Sequence, residues 1–141
     1  MNTNETTHAQ AVSSTDLLGI VIAVDFDGTC VTHEYPKVGR EIGAVPVLRD
    51  LVSAGCRLVL WTMRDDGEFT DAVKWFRKHD IPLWGYNQNP EQKSWTQSAK
   101  AYANVYIDDA ALGAPLRKGM LGERPHIDWQ QVREMLLPNA K

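Results

Sequence analysis

The sequence comprises 141 residues, of which 43% are hydrophobic and 23% charged, and its formal net charge is −3. This is typical of one globular domain, long enough to bury about two thirds of its unfolded surface. The negative net charge argues against a nucleic-acid partner held mainly through its phosphates. No run of apolar residues approaches the roughly 20 that a membrane helix requires. The two cysteines, Cys30 and Cys56, make no disulfide framework, so we expect them to be small packed residues.

We predict a tail over residues 1–17, a single domain over residues 18–138 and a short C-terminal end over residues 139–141. Residues 1–16 are mostly Asn, Thr, Ser, Gln and Ala. They lack the basic start and the apolar core of a signal peptide. The cytoplasm is therefore the expected location, and no membrane partner is expected.

The first predicted element is a strand that ends in two acids. Residues 20–24 are apolar on both faces, which favours the centre of a parallel sheet. Asp25 and Asp27 follow at i, i+2 spacing, so they leave the strand on the same side if the chain stays extended. Ligands of open α/β sheets bind outside the carboxyl ends of the strands, so these acids mark a candidate site.

Beyond this strand, segments with helical apolar spacing alternate with short β-rich runs. One helix starts at a run, Ser94 to Gln97, that has the form of a capping box, and another starts at Asp128. The predicted order is loop 30–42, helix 44–54, strand 57–62, helix 66–79, strand 81–86, helix 94–103, strand 104–107 and helix 128–137. This alternation predicts a three-layer, Rossmann-like α/β domain, with a parallel sheet and helices on both of its faces.

The fourth predicted strand also ends in acids, Asp108 and Asp109. If the first and fourth strands are neighbours, up to four carboxylates crowd one crevice and repel one another, so a positive charge must lie there. Oxygen ligands without clustered His or Cys favour a hard divalent cation, and Mg²⁺ above all because it keeps waters and substrate phosphate as ligands.

Four polar strand ends follow in a distinctive order: the run VDFDGT, then Thr62 in LWTMR, then a lysine, then YIDD. This order resembles the four motifs of the haloacid dehalogenase-like hydrolase superfamily. For the lysine we favour Lys100, which lies in the predicted helix before the fourth strand, over its competitor Lys93. The resemblance covers about residues 20–112, and the run VDFDGTCVTHEYPKVG is similar to a small group of members that lack a cap domain.

The resemblance implies a phosphatase that acts on a phosphorylated substrate. Asp25 would be the nucleophile that forms an aspartyl-phosphate, and Asp27 would be the general acid and then the general base. Thr62 and Lys100 would hold phosphate oxygens. The resemblance thus implies a catalytic set of two acids, one hydroxyl and one ammonium group.

The resemblance also implies how Mg²⁺ is bound. The ligands would be the Asp25 carboxylate, the Asp27 backbone carbonyl and Asp108, with Asp109 as a direct or water-mediated partner. The candidate substrate-binding residues are Gly28, Thr29 and Arg64. Arg64 either binds substrate or pairs with Asp65 or Asp66, and we favour the second interpretation.

No cap domain is expected, because the about 45 residues between Thr62 and Asp108 are filled by ordinary crossover elements. An open site suits a large substrate, or a small one enclosed by a neighbouring subunit in a homo-oligomer or by the loop 33–39. His33, Glu34 and Tyr35 are candidates for contact with the leaving group, with a plain surface loop as the alternative.

Two other functions stay open. One is a hydrolase fold kept as a binding or regulatory protein, and the other is a phosphoacceptor module similar to a receiver domain. Receiver domains begin with an adjacent acidic pair, whereas this chain begins with D-x-D and has its acidic pair last. The five tryptophans are interpreted as packing residues, since a stacking role needs exposure near the site.

Overall fold

The computed structural model describes residues 17–138 and contains a four-stranded parallel sheet with the strand order β3-β2-β1-β4. The elements in chain order are β1 (Val21–Val24), α1 (Ala44–Ser53), β2 (Arg57–Leu60), α2 (Asp66–Lys78), β3 (Gly85–Tyr86), a 3₁₀ turn (Gln92–Ser94), β4 (Val105–Ile107), β5 (Leu116–Arg117), β6 (His126–Ile127) and α3 (Trp129–Leu136). The structure confirms the predicted three-layer, Rossmann-like α/β fold. The predicted ends, residues 1–16 and 139–141, lie outside the described residues, whereas Leu17, which we assigned to the tail, is buried in the core.

The central strand β1 organises the hydrophobic core. All four of its residues are buried, as a strand covered on both faces requires. The helices α1 and α3 contact each other, and α2 contributes the buried pair Trp75 and Phe76, whose rings meet edge to face at 5.0 Å. Cys30 and Cys56 are free and buried, which confirms that they are packed residues.

The register of the sheet aligns the carboxyl ends of three strands. Val24 is the partner of both Leu60 on β2 and Ile107 on β4. The pairing continues one residue further on each side, because the Asp25 N–H donates to the Ile107 carbonyl at 2.9 Å and the Trp61 N–H donates to the Val24 carbonyl at 2.9 Å. The residues that follow β1, β2 and β4 therefore meet at one edge.

Two predicted elements differ in the structure. The prediction of a helix over residues 94–103 is wrong. The buried side chain of Gln92 donates to the Ser98 and Lys100 carbonyls and accepts from the Tyr102 N–H at 2.6 Å. These bonds use backbone groups that a helix would pair internally, so only the 3₁₀ turn forms. The strand predicted over residues 81–86 is reduced to β3, since Pro82 cannot donate to a ladder.

The remaining elements lie close to their predicted bounds. The helix α3 begins as expected, with the Asp128 side chain accepting from the Gln130 and Gln131 N–H groups. The helix α1 ends before Gly55, whose φ of +103° is a conformation that favours glycine. Within residues 17–138, no helix has the length and apolar character needed to cross a membrane.

Candidate functional site

Three carboxylates converge at the carboxyl edge of the sheet. Asp25 directly follows β1, and Asp108 and Asp109 follow the neighbouring strand β4. One oxygen from each of the three lies within 4.8 Å of the others, a spacing that could hold a metal ion. The acids that we expected to meet here therefore do so, with the exception of the Asp27 side chain.

Thr29 connects two of these acids. Its hydroxyl donates to Asp25 Oδ2 at 2.9 Å and accepts from the Asp109 N–H at 3.1 Å, while its carbonyl accepts from the Trp129 indole N–H at 2.6 Å. Thr29 is fully buried. The prediction that it binds substrate is wrong, because its side chain is already engaged beneath the acids.

The environment of Asp25 is unfavourable to negative charge. Burial, followed by the nearby charge of Asp108, raises the pKa of Asp25 from 3.8 to about 8, although the hydrogen bond from Thr29 acts in the opposite direction. A carboxylate in such a position is stabilised by a cation. The electrostatics of the site thus favour bound positive charge.

Gly28 brings a histidine close to the acids. Its φ is +79°, and a Cβ at this position would overlap the His33 imidazole and lie 2.7 Å from Asp109 Oδ2. His33 Nε2 is buried and 3.1 Å from Asp109 Oδ2, without the alignment of a hydrogen bond. Gly28 therefore makes room for the His33 imidazole beside Asp109, while Glu34 and Tyr35 of the same loop are exposed.

Arg64 forms a buried ion pair with Asp27. Its Nε donates to Asp27 Oδ2 and its Nη2 to Asp27 Oδ1, both at 2.7 Å, and its side chain is 1% exposed. The other N–H groups donate to the backbone carbonyls of Pro36, Lys37 and Glu68. All five guanidinium donors are thus used. The predictions that Arg64 pairs with Asp65 or Asp66, or binds substrate, are wrong, since no donor remains for either.

A shallow cavity of about 230 Å³ lies beside Asp25 and Asp108. Its lining residues are Asp25, Trp61, Thr62, Met63, Asn87 and Asp108. The Thr62 N–H donates to Asn87 Oδ1 at 2.8 Å, and the Thr62 hydroxyl accepts from the Arg64 N–H at 3.1 Å. Thr62 and Asp25 therefore line the same cavity.

Asn87 was not predicted as a site residue, because we assigned it to a turn. Its position directly after the third predicted strand was the signal that could have identified it, since the other cavity residues also follow strand ends. Trp61, which we predicted to be a packing residue, also lines this cavity.

Neither candidate lysine lines this cavity. Lys100 is exposed on the segment where the helix was predicted, with Nζ 5.5 Å from the centre of the Tyr106 ring. Lys93 lines a separate cavity of about 330 Å³. The geometry therefore gives no support to a phosphate-binding role for either lysine.

Comparison with known proteins identifies a relative. No family model matches the sequence, and neither does any curated protein. A solved structure, described as the conserved protein coded by a locus from Bacteroides thetaiotaomicron, is 34% identical, with a TM-score of 0.68 over 87% of this chain and 93% of that one. The chain belongs to the family of that protein. The description of the Bacteroides protein names no activity, so function is inferred from the site.

Proposed function

We propose that this protein is a Mg²⁺-dependent phosphohydrolase that cleaves phosphate monoesters through an aspartyl-phosphate on Asp25. The observation that carries the proposal is the convergence of Asp25, Asp108 and Asp109 beside a cavity that is lined by Asp25, Asp108 and Thr62. Acids of this kind at strand ends are also what the resemblance to haloacid dehalogenase-like hydrolases implies.

The three carboxylates fit a hard cation. They offer oxygen atoms alone, within 4.8 Å of one another, and the pKa of Asp25 is raised because burial and Asp108 leave its charge uncompensated. Asp25 and Asp108 would hold Mg²⁺, with Asp109 as a direct or water-mediated ligand and the Asp27 carbonyl as a further candidate. Bound Mg²⁺ would neutralise charge between carboxylate and phosphate, so that the two anions can approach.

In the first step, an Asp25 oxygen attacks phosphorus, and the leaving-group oxygen departs with the electron pair of the broken P–O bond and takes a proton from solvent. In the second step, water attacks phosphorus, the bond between phosphorus and the Asp25 oxygen breaks, and the proton that water loses passes to solvent, which releases phosphate and regenerates the Asp25 carboxylate. Thr29 orients Asp25 by holding Oδ2. The Thr62 hydroxyl accepts from the Arg64 N–H, so its own proton is directed elsewhere and can be donated to a phosphate oxygen.

A phosphoacceptor is the second candidate, and the Arg64–Asp27 ion pair favours it. The resemblance assigns proton transfer to Asp27, but both of its oxygens accept from Arg64 at 2.7 Å. Asp27 would have to break this ion pair before it could transfer a proton. If the pair stays intact, Asp25 would accept a phosphoryl group and release it slowly.

Hydrolysis of p-nitrophenyl phosphate, with Mg²⁺ or with a chelator, tests the main proposal. We expect turnover only with Mg²⁺, and a loss of at least about 10³-fold in Asp25→Asn because the nucleophile is removed. Asp71→Asn is the matched control, since Asp71 is exposed on α2 and lies outside the cavity lining. Metal-independent turnover, or full activity in folded Asp25→Asn, would refute the mechanism.

Intact-protein mass spectrometry after an acid quench separates the two candidates. Wild-type protein incubated with acetyl phosphate and Mg²⁺ should gain one phosphate that Asp25→Asn does not gain. For the phosphohydrolase, the added mass disappears within one turnover time once the donor is removed. For the phosphoacceptor, it persists while p-nitrophenyl phosphate is left uncleaved.

A further inference from the structure

We infer that the site selects phosphate esters whose leaving group is uncharged and carries a planar ring, and that Trp61 determines this specificity. The inference rests on the proposed function, because it concerns the leaving group that departs from the phosphate bound at Asp25. Aryl, benzyl and nucleoside esters share the required chemistry.

The backbone places Trp61 beside the reacting group. Its N–H donates to the Val24 carbonyl at 2.9 Å, one residue before Asp25, and both Trp61 and Asp25 line the cavity of about 230 Å³. Trp61 also directly precedes Thr62, the candidate phosphate ligand. A group attached to a phosphate at Asp25 and Thr62 would therefore lie within reach of the indole ring.

Packing does not account for Trp61. Trp75 and Trp129 are 5% and 2% exposed and belong to the core, whereas Trp61 is partly exposed and is absent from both the core and the side chains packed against it. The Trp129 indole N–H has an acceptor, but the Trp61 indole N–H has none among residues 17–138. The exposed part of this ring, which makes no hydrogen bond within residues 17–138, is available to a ligand.

The neighbours of Trp61 suit a planar ring with a polar edge. Met63 is 98% exposed and also lines the cavity, and a thioether sulfur is a favourable contact for an aromatic ring. The Asn87 side chain accepts from the Thr62 N–H through Oδ1. This bond directs its NH₂ group away from Thr62, where it can donate to a heteroatom of the leaving group.

The charge of the cavity wall restricts the leaving group further. Asp25 and Asp108 are the charged residues among its lining side chains, and Arg64, the nearest cation in sequence, has no donor left. A second anionic group on the substrate would find no side-chain cation among the lining residues of the cavity. Sugar bisphosphates and esters of acidic peptides are therefore disfavoured.

A pair of substrates that differ only in planarity tests the inference. Benzyl phosphate and cyclohexylmethyl phosphate both release a primary alcohol and carry the same charge. We expect kcat/KM to be at least about 10-fold higher for benzyl phosphate, as ring stacking supplies this much selectivity. A carboxylate in the para position of benzyl phosphate should lower kcat/KM. A nucleoside 5′-monophosphate serves as a second substrate whose leaving group carries a planar ring.

Variants assign the selectivity to Trp61. Trp61→Ala should reduce the preference for benzyl phosphate to about 2-fold or less, whereas Trp61→Phe should retain most of it. Trp61→Ala should lower kcat/KM for benzyl phosphate by a larger factor than kcat/KM for acetyl phosphate, since the leaving group of acetyl phosphate has no ring. The matched control is Trp95→Ala, because Trp95 is 64% exposed and lies outside this cavity.

Binding of benzylphosphonate, a non-hydrolysable analogue, gives a readout that is independent of turnover. Its addition with Mg²⁺ should change the tryptophan fluorescence of wild-type protein and of Trp95→Ala, but not of Trp61→Phe. Equal kcat/KM for the two matched esters, with Asp25-dependent hydrolysis intact, would overturn the inference and leave the proposed function standing. If no ester is cleaved, the proposed function fails. In that case the binding of benzylphosphonate, and its dependence on Trp61, decides whether the cavity binds a planar ring.

Discussion

The carboxylate of Asp27 accepts two parallel hydrogen bonds from the guanidinium of Arg64, each 2.7 Å long. The arginine side chain is 1% exposed and the aspartate side chain 20% exposed, so the pair is largely removed from water. The guanidinium also lies 5.1 Å from the ring centres of both Phe26 and Tyr35. This one side chain joins the end of β1, the loop after it and the start of α2.

Removal of the arginine should destabilise the whole domain. We expect Arg64→Met to lower the free energy of unfolding by about 3 to 5 kcal/mol, because Asp27 is left as an uncompensated buried charge. Urea unfolding measures the change. The control is Arg49→Met, whose partner Asp80 is exposed and 3.5 Å away, and it should cost less than about 1 kcal/mol. An equal effect of the two variants would contradict the structural role of Arg64.

Stability without metal should fall as the pH rises from about 4 to about 8. Folded protein keeps a proton on Asp25, whose pKa is raised from 3.8 to about 8 by burial and by Asp108, and the unfolded chain loses that proton near pH 4. Because the folded state binds more protons in this window, each step up in pH favours unfolding. Urea unfolding in a chelator, at pH 5 and pH 8, should show this slope in wild type and Asp71→Asn and a smaller slope in Asp25→Asn.

Mg²⁺ should counteract this loss of stability. Its binding requires the ionised carboxylate, so the increase in melting temperature on adding Mg²⁺ should be larger at pH 8 than at pH 5. A calorimetric titration at the two pH values checks the same point. An equal Mg²⁺ effect at both pH values would argue that Asp25 is not a ligand.

Alanine at position 28 should disturb the site as well as the backbone. Gly28→Ala combines a φ of +79° with overlap between the new methyl group and the His33 imidazole. Gly113→Ala is the matched control, since its φ is +86° and a Cβ there meets nothing within 4 Å. Both variants should lose about 1 kcal/mol from backbone strain. Only Gly28→Ala should lose more and weaken Mg²⁺ binding by calorimetry, and identical results for both would contradict the close packing.

The indole N–H of Trp129 should support the acids indirectly. Trp129→Phe leaves the Thr29 carbonyl, a buried acceptor held at 2.6 Å, without its partner and should cost about 1 to 3 kcal/mol. Because the Thr29 hydroxyl contacts both Asp25 and Asp109, Mg²⁺ affinity should fall too. Trp95→Phe, at an exposed position, should change neither quantity. Unaltered Mg²⁺ affinity in Trp129→Phe would show that Thr29 is held by other contacts.

The fold could be predicted where a local pattern and the tertiary environment agree. The apolar run of β1, the helical spacing of α1 and α2 and the cap at Asp128 all lie close to their predicted bounds. The convergence of Asp25, Asp108 and Asp109 could also be predicted, because parallel strands bring their carboxyl ends to one edge. These features depend on periodicity and on sheet geometry.

The incorrect predictions concern residues whose structure depends on which side chains become buried. No local sequence pattern reveals this burial. Arg64 is adjacent to Asp65 in sequence, but its partner is Asp27, which lies 37 residues away. A capping pattern at Ser94 predicts a helix, yet the buried side chain of Gln92 captures the backbone groups of that segment. In both cases the hydrogen bonds of a buried side chain outweigh a local preference.

The alignment of Val24 with Ile107 has a consequence for how quickly a cation could be captured. Asp25 and Asp108 each follow a residue of this pair, and the Asp25 N–H donates to the Ile107 carbonyl. Their separation is therefore set when the two strands pair, and no loop has to become ordered when a ligand arrives. We expect the Asp25 amide to be protected from hydrogen exchange even in metal-free protein, opening only when the central sheet itself unfolds.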